Sequence, residues 1–278
     1  MKKLIAILMA ALMCMMVFAS CGKTDGGDGK STGTDNKGNN DVKEQTDMEY
    51  VKEKGELIVG ITDFAPMDYQ DASGNWIGFD ADMAKAFAEY LGVKVSFVEI
   101  VWDNKVLELG AKTIDVVWNG MTLGDEVKAA MACSKAYCNN AQVVIVPKDK
   151  ADRYATAEAC KSLKFAVEAG SAGKDMAVEN GFEYIEVESQ AAALMEVAAG
   201  TADAAIIDSL MAAAMVGEGT SYANLTYTAK LNSEEYGVGF RKGSDLAEEL
   251  NKFFDAQIAN GNMEKIAEQY GVQAALIK

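Results

Sequence analysis

The 278-residue chain contains no histidine and only two arginines, Arg153 and Arg241. Without histidine there is no imidazole base, no His-ligated zinc and no Ser-His-Asp triad. Positive charge is scarce too: 26 Lys and Arg stand against 42 Asp and Glu, a net charge of −16. Such a surface repels phosphate backbones, which argues against a nucleic-acid partner. Any recognition that needs a bidentate guanidinium has two candidates in the whole chain. Apolar residues, by contrast, make up half the sequence. That is enough to bury a core, and the length suits about two domains.

Lys2 and Lys3 precede an unbroken apolar run over 4–19, followed by Ser20-Cys21-Gly22. A basic start, an apolar stretch and a small residue before the cut describe an export signal. The run is shorter than the roughly 20 residues of a spanning helix. Phe18-Ala19-Ser20-Cys21 resembles the bacterial lipobox, with Phe18 where Leu is usual. The resemblance implies cleavage before Cys21 and a lipid on its thiol, anchoring the protein to the cell membrane and facing outside the cytoplasm. Residues 1–20 are then a signal peptide. Residues 21–48, rich in Gly, Asp, Asn, Ser and Thr, are a flexible tether. Of the cysteines beyond the tether, Cys133 and Cys138 are near enough to pair, leaving Cys160 free. Three buried thiols acting as small apolar residues is the preferred reading.

From residue 49 onward, strands and helices alternate. The run 57–61 reads as a buried strand, and Asp80 as the cap of a helix that Gly92 stops. Strands follow over 93–100, 114–118 and 142–146, with a short helix from about residue 104. The pattern then restarts with a strand over 165–167 and a helix opened by Gly170-Ser171-Ala172-Gly173. Further strands at 184–187 and 204–207 flank a helix over 191–199. Each half contains a helix, a tight turn, an aspartate (Asp115, then Asp203) and an apolar strand in that order. The echo predicts an α/β fold of two similar lobes, each a mostly parallel sheet. The chain returns through 236–240 and closes with two helices, capped by Ser244 and Asn262 and ended by Gly261 and Gly271. Ligands of such sheets sit at the carboxyl ends of strands. This nominates Asp63 and Phe64, residues 118–122, residues 170–173, and Asp208. Carboxylates favour a positive group and helix N-termini a negative one, a combination suited to a zwitterion.

Four stretches then carry a resemblance: Gly78-Phe79-Asp80-Ala81-Asp82, Trp118-Asn119-Gly120-Met121-Thr122, Ser134-Lys135-Ala136-Tyr137 and Glu235-Tyr236-Gly237-Val238-Gly239-Phe240-Arg241-Lys242. In order and spacing they are similar to the polar amino-acid family of solute-binding proteins of ABC importers. The resemblance implies the type II periplasmic binding protein fold, with two lobes joined by two crossover strands. Lobe 1 would comprise 49–145 plus 236–278, and lobe 2 residues 146–235. It implies a monomer that captures a small solute and delivers it to a membrane permease, without catalysis or cofactor. Carried over, Asp63 and Phe64 match a ligand-touching loop, and Asn119, Gly120 and Thr122 a carboxylate-binding strand end. Ser171 and Ala172 match the second-lobe helix start, and Asp208 the acid that holds an α-ammonium group. Trp118, Met121 and Gly170 flank these positions.

One position departs from the family pattern. Val127 stands where family members carry the arginine that clamps the α-carboxylate, and Gly124 where a threonine is usual. Losing a desolvated charge-assisted contact costs about tenfold to over a hundredfold in affinity. Either another donor takes the carboxylate or the ligand lacks one. The first case describes an amino acid or close analogue. The second describes an amine or quaternary ammonium compound, held by Asp63 and Asp208 among aromatic faces of Phe64, Trp118 and Tyr137. A dehydratase-like enzyme on this scaffold is a remote third reading, with Glu168 near Ser171 its only extra acid–base candidate.

Overall fold

The computed structural model describes residues 45–277; the signal peptide, Cys21 and nearly all of the tether lie outside them. Helix α1 (Asp47–Lys54) opens with a reciprocal cap. The Thr46 hydroxyl accepts from the Glu49 N–H at 3.2 Å, and the Glu49 carboxylate accepts from the Thr46 N–H at 3.1 Å. Regular structure therefore begins before residue 48, where the tether was expected to end.

The chain continues through β1 (Glu56–Ile61), a small hairpin of β2 (Tyr69–Gln70) and β3 (Trp76–Ile77), α2 (Phe79–Leu91) and β4 (Lys94–Glu99). Next come α3 (Lys105–Gly110), β5 (Val116–Thr122), α4 (Asp125–Ala130), β6 (Ala132–Cys133) and β7 (Cys138–Asn140). The second lobe holds β8 (Gln142–Pro147), β9 (Lys164–Glu168), α5 (Ala172–Asn180), β10 (Glu183–Val187), α6 (Gln190–Ala199), β11 (Ala204–Asp208), α7 (Ser209–Met215) and β12 (Leu225–Lys230). The chain returns through β13 (Glu234–Phe240) to α8 (Leu246–Ala259) and α9 (Asn262–Tyr270).

One sheet has the order β4-β1-β5-β13-β6, with β7 also paired to β13; the other runs β10-β9-β11-β8-β12. In each, three neighbouring strands are parallel and the returning strands antiparallel. The two connecting segments run side by side, with Glu234 opposite Asn140 and the Leu231 N–H on the Gln142 carbonyl at 2.9 Å. A division at residue 145 would cut β8, which lies wholly in the second sheet. The sheets part at Ala141, and β13 already belongs to the first sheet at Glu234.

The echo of Asp115 and Asp203 has a physical basis. The Asp115 N–H donates to the Ile58 carbonyl at 2.8 Å, and its carboxylate accepts from the Ile58 N–H at 2.9 Å. Asp203 makes the same clasp on Lys164, at 2.9 and 3.1 Å. Each aspartate pins the start of one strand beside its neighbour. Arg241 completes the first clasp: its guanidinium donates to Asp115 at 3.3 Å, to Asp47 at 2.8 Å and to the Ile114 carbonyl at 2.9 Å.

Helix α2 buries Phe79, Met83, Phe87 and Leu91, one residue per turn on a single face. Phe87 packs edge-on against Trp118 and tilted against Phe253, and burying each such ring contributes about 1.5–3 kcal/mol. Three caps differ from expectation. Asp80 is the second residue of α2, and no side chain caps that helix. Its carboxylate points inward, accepting from the Tyr137 hydroxyl at 2.7 Å and the Gly120 N–H at 2.7 Å. The cap position of α8 is Asp245, although the Ser244 hydroxyl still accepts from the Leu246 N–H at 3.3 Å. Gly261, not Asn262, occupies the cap position of α9. Cys133, Cys138 and Cys160 are free thiols.

Candidate ligand-binding cleft

A cavity of about 440 Å³ is lined from both lobes, mainly by segments at the carboxyl ends of β1, β5, β9 and β11. Of the nominated residues, Phe64, Asn119, Gly120, Met121, Thr122, Val127, Gly170, Ser171, Ala172 and Asp208 line it. Asp63, Trp118 and Gly173 do not, and neither does Tyr137, which is buried with its hydroxyl on Asp80. Asp63 is exposed outside the cavity. Trp118 is fully buried and packs against Phe87 and Phe254. The reason is strand length: β5 runs on to Thr122 rather than ending near 118. Alternation then gives Trp118 the same face as Val116, in the main core, while Val117 and Met121 share a different cluster.

The first lobe builds a rigid wall. Asn119 is saturated: its Oδ1 accepts from the Thr62 N–H at 3.0 Å and hydroxyl at 2.7 Å, and its Nδ2 donates to Asp68 at 2.7 Å. Gly120 has φ +54°, and a Cβ there would come 2.5 Å from Phe64 Cε1. Only glycine lets the ring lie over this strand. Thr122 donates its hydroxyl to Glu234 at 3.0 Å, so the proton expected for a ligand carboxylate is already placed. Val127 sits in the first turn of α4 and packs against the cluster that holds Met121, Met131 and Trp102. Neither arginine replaces it: Arg241 is spent on Asp47 and Asp115, and Arg153 lies in the turn Lys148–Arg153, outside the cavity.

The second lobe supplies a helix start and buried acids. Ser171 caps α5, accepting from the Lys174 N–H at 3.2 Å while donating to the Glu168 carbonyl at 2.8 Å. Gly170 has φ +68°, and a Cβ there would sit 2.7 Å from Asp103 Cα in the first lobe. The lobes approach so closely that a larger residue would be excluded. Asp208 is 3% exposed and accepts from Asn140, Gln142, Gln190 and the Tyr236 hydroxyl, the last at 2.7 Å. Its side chain makes no cap bond to α7. Burial, with Glu234 nearby, pushes its carboxyl up to about 8. Glu168 is also 3% exposed, and its Oε1 has no hydrogen-bond partner among the described residues. Burial first, then the Asp208 charge, raises it to about 8.

Lys105 was not nominated. It opens α3, is 9% exposed, and donates its ammonium to the carbonyls of Trp102 at 3.2 Å and Gly170 at 3.0 Å. The ammonium also lies 4.9 Å from the centre of the Trp102 ring. The strand-end rule reaches it, since it follows β4, but a lone lysine opening a short helix carries no sign of burial. The cavity lining holds six carboxylates, Asp103, Asp125, Glu126, Glu168, Asp175 and Asp208, against two ammonium groups, Lys105 and Lys174. Among the described residues no group of three or more Cys, Asp and Glu side chains is placed to hold a metal ion.

Two α/β lobes meeting over an acidic cavity, joined by paired crossovers, define a two-lobed solute-binding protein with the type II periplasmic fold. The chain belongs to the bacterial extracellular solute-binding proteins, family 3, whose family model matches residues 57–273. It is 28% identical over 224 residues to the L-cystine-binding protein TcyJ of Escherichia coli (strain K12), covering 79% of this chain and 84% of that one. A crystal structure of a mutant of ArgBP from T. maritima is similar, with 32% identity and a TM-score of 0.76 over 81% of this chain and 98% of that one. So is the ancestral amino acid-binding protein AncCDT-1, a precursor of cyclohexadienyl dehydratase, with 32% identity and a TM-score of 0.73. That likeness covers 80% of this chain and 98% of the ancestral one. The family is extracellular, which puts the chain outside the cytoplasm. No helix among the described residues is long and apolar enough to cross a membrane.

Proposed function

We propose that the protein captures an amino acid or close analogue in the cleft between its lobes and hands it to an ABC permease. In this reading a lipid on Cys21 holds it at the outer face of the cell membrane. The observation that carries the ligand class is the Glu168 carboxylate, buried in the cavity wall with one oxygen unpartnered. Ionising a buried carboxyl that no salt bridge holds is costly, and a ligand ammonium group offsets that cost. The surplus of acids favours ligands with a second positive charge, such as amino acids with basic side chains. The likenesses to binding proteins named for L-cystine and for amino acids support the same class. Thermal-shift screening of the purified protein against the common amino acids tests it, since a bound ligand raises the melting temperature by mass action.

Val127 supports a second reading, an amine or quaternary ammonium ligand with no α-carboxylate. Screening each basic amino acid beside its decarboxylated amine separates the two. An enzymatic reading rests on Glu168, a raised carboxyl beside Ser171, and on the likeness to an ancestral binding protein that is a precursor of a dehydratase. A ligand recovered unchanged after prolonged incubation with the protein argues for binding; a stoichiometric excess of product argues for turnover.

A further inference from the structure

Among the described residues Lys105 is a buried cation with no ion-pair partner. Burial lowers its ammonium from the usual range; Asp103, Glu126, Glu168 and Asp175 lie near enough to favour its charge and offset part of that, and among the described residues it donates to two backbone carbonyls alone. An ammonium group has three N–H donors, so one remains for a ligand. One of the two carbonyls belongs to Gly170, in the loop that opens α5. The first N–H groups of that nine-residue helix have no helical acceptors and lie beside the capping residue Ser171. Lys105 comes from the first lobe and the helix start from the second, and both line the same cavity.

We infer that Lys105 is the anion anchor of the cleft: together with the start of α5 it receives the ligand's carboxylate, a role that Val127 cannot fill. The inference rests on the reading that the cleft takes an amino acid. It also assigns the opposite pole, because Glu168 offers the free carboxylate oxygen for the ammonium group. A carboxylate held between Lys105 and α5 touches both lobes, so ligands that keep it favour the closed arrangement and amines lose that bridge. A single ammonium gives less geometric selectivity than a guanidinium fork, which fits a site able to accept more than one carboxylated ligand.

The test is calorimetric titration of the parent and the Lys105→Met, Lys105→Gln and Lys105→Arg proteins, each first checked for an unchanged melting temperature. The probes are L-arginine, L-lysine and L-histidine beside agmatine, cadaverine and histamine. The expected result is a loss of about tenfold to a hundredfold for the amino acids in Lys105→Met and Lys105→Gln. The amines should stay within about threefold of the parent, and Lys105→Arg should restore much of the amino-acid affinity. Equal losses for amino acids and amines, or no loss at all, would overturn the anchor while leaving the amino-acid reading intact. A parent that binds the amines and none of the amino acids overturns both that reading and the anchor. A parent that binds none of the six, nor any other common amino acid, does the same.

Discussion

The Tyr236 hydroxyl donates to the Asp208 carboxylate at 2.7 Å, joining the returning strand of the first sheet to the end of a strand in the second. Asn140, Gln142 and Gln190 donate to the same carboxylate. Beside it Glu234 accepts from Thr122, Asn140 and Gln142 at 3.0, 2.7 and 2.8 Å. The crossover region is thus held by two acids that gather donors from both lobes. Asp208 has a structural duty whatever it does for the ligand.

That duty changes the expected effect of removing it. Asp208→Ala strands the Tyr236 hydroxyl and an N–H of Gln190 while Asn140 and Gln142 keep Glu234, and each unsatisfied buried group costs about 1–3 kcal/mol before local relaxation. Urea unfolding of the ligand-free protein should show a loss of about 2–4 kcal/mol, with Tyr236→Phe costing about 1 kcal/mol. An alanine variant as stable as the parent would contradict the assigned network.

Glu168 makes stability and binding depend on pH in opposite senses. Burial raises its carboxyl from the usual 4.5 to about 8, so folding favours the protonated form. The resulting stabilisation is full below about pH 4.5 and is lost as pH rises through 8. Between pH 5 and pH 9 the melting temperature of the ligand-free parent should therefore fall relative to that of Glu168→Gln. A cationic ligand needs the ionised form, so its binding near pH 7 should release protons. Calorimetry in two buffers of different ionisation enthalpy reads that release directly. No difference between the buffers, or parallel melting curves for parent and variant, would count against the assignment.

Much of the fold was legible because its signals are local. Apolar runs bounded by turns marked the strands, and the repeated Asp115 and Asp203 marked two equivalent clasps. The cleft was legible only in part. Trp118 was nominated through the position of its neighbours, but side-chain alternation along a strand longer than expected turns it into the core. Asp80 looked like a helix cap because it follows Gly78-Phe79. Its partners are Tyr137 and Gly120, 57 and 40 residues away, and no local rule names them. Lys105 shows the limit most clearly, since its burial depends on Gly170 of the other lobe.

Val127 and Lys105 border one cavity, so their roles can be exchanged. Val127→Arg in the Lys105→Met background should recover about tenfold of the lost amino-acid affinity by supplying a fork for the carboxylate. In the parent background the gain should be smaller, because Lys105 already serves that group. Titration of the four proteins with one basic amino acid forms a double-mutant cycle. Strictly additive effects would show that the two positions address different parts of the ligand.

Anchoring can be tested apart from binding. Cys21→Ser should leave the protein released from membranes or carrying an uncleaved signal, as read by fractionation and by mass. Unchanged processing and membrane association would remove the lipid anchor from the account.

The most direct measurement is a calorimetric titration of the purified parent with L-arginine, L-lysine and L-histidine on one side and L-glutamate and L-aspartate on the other. A cleft lined by six carboxylates against two ammonium groups should bind at least one basic amino acid with a micromolar Kd or better. The acidic amino acids should bind at least about a hundredfold more weakly, since each adds an unpaired negative charge to the cavity. Tight binding of L-glutamate or L-aspartate, with none of the basic amino acids bound, would contradict the account.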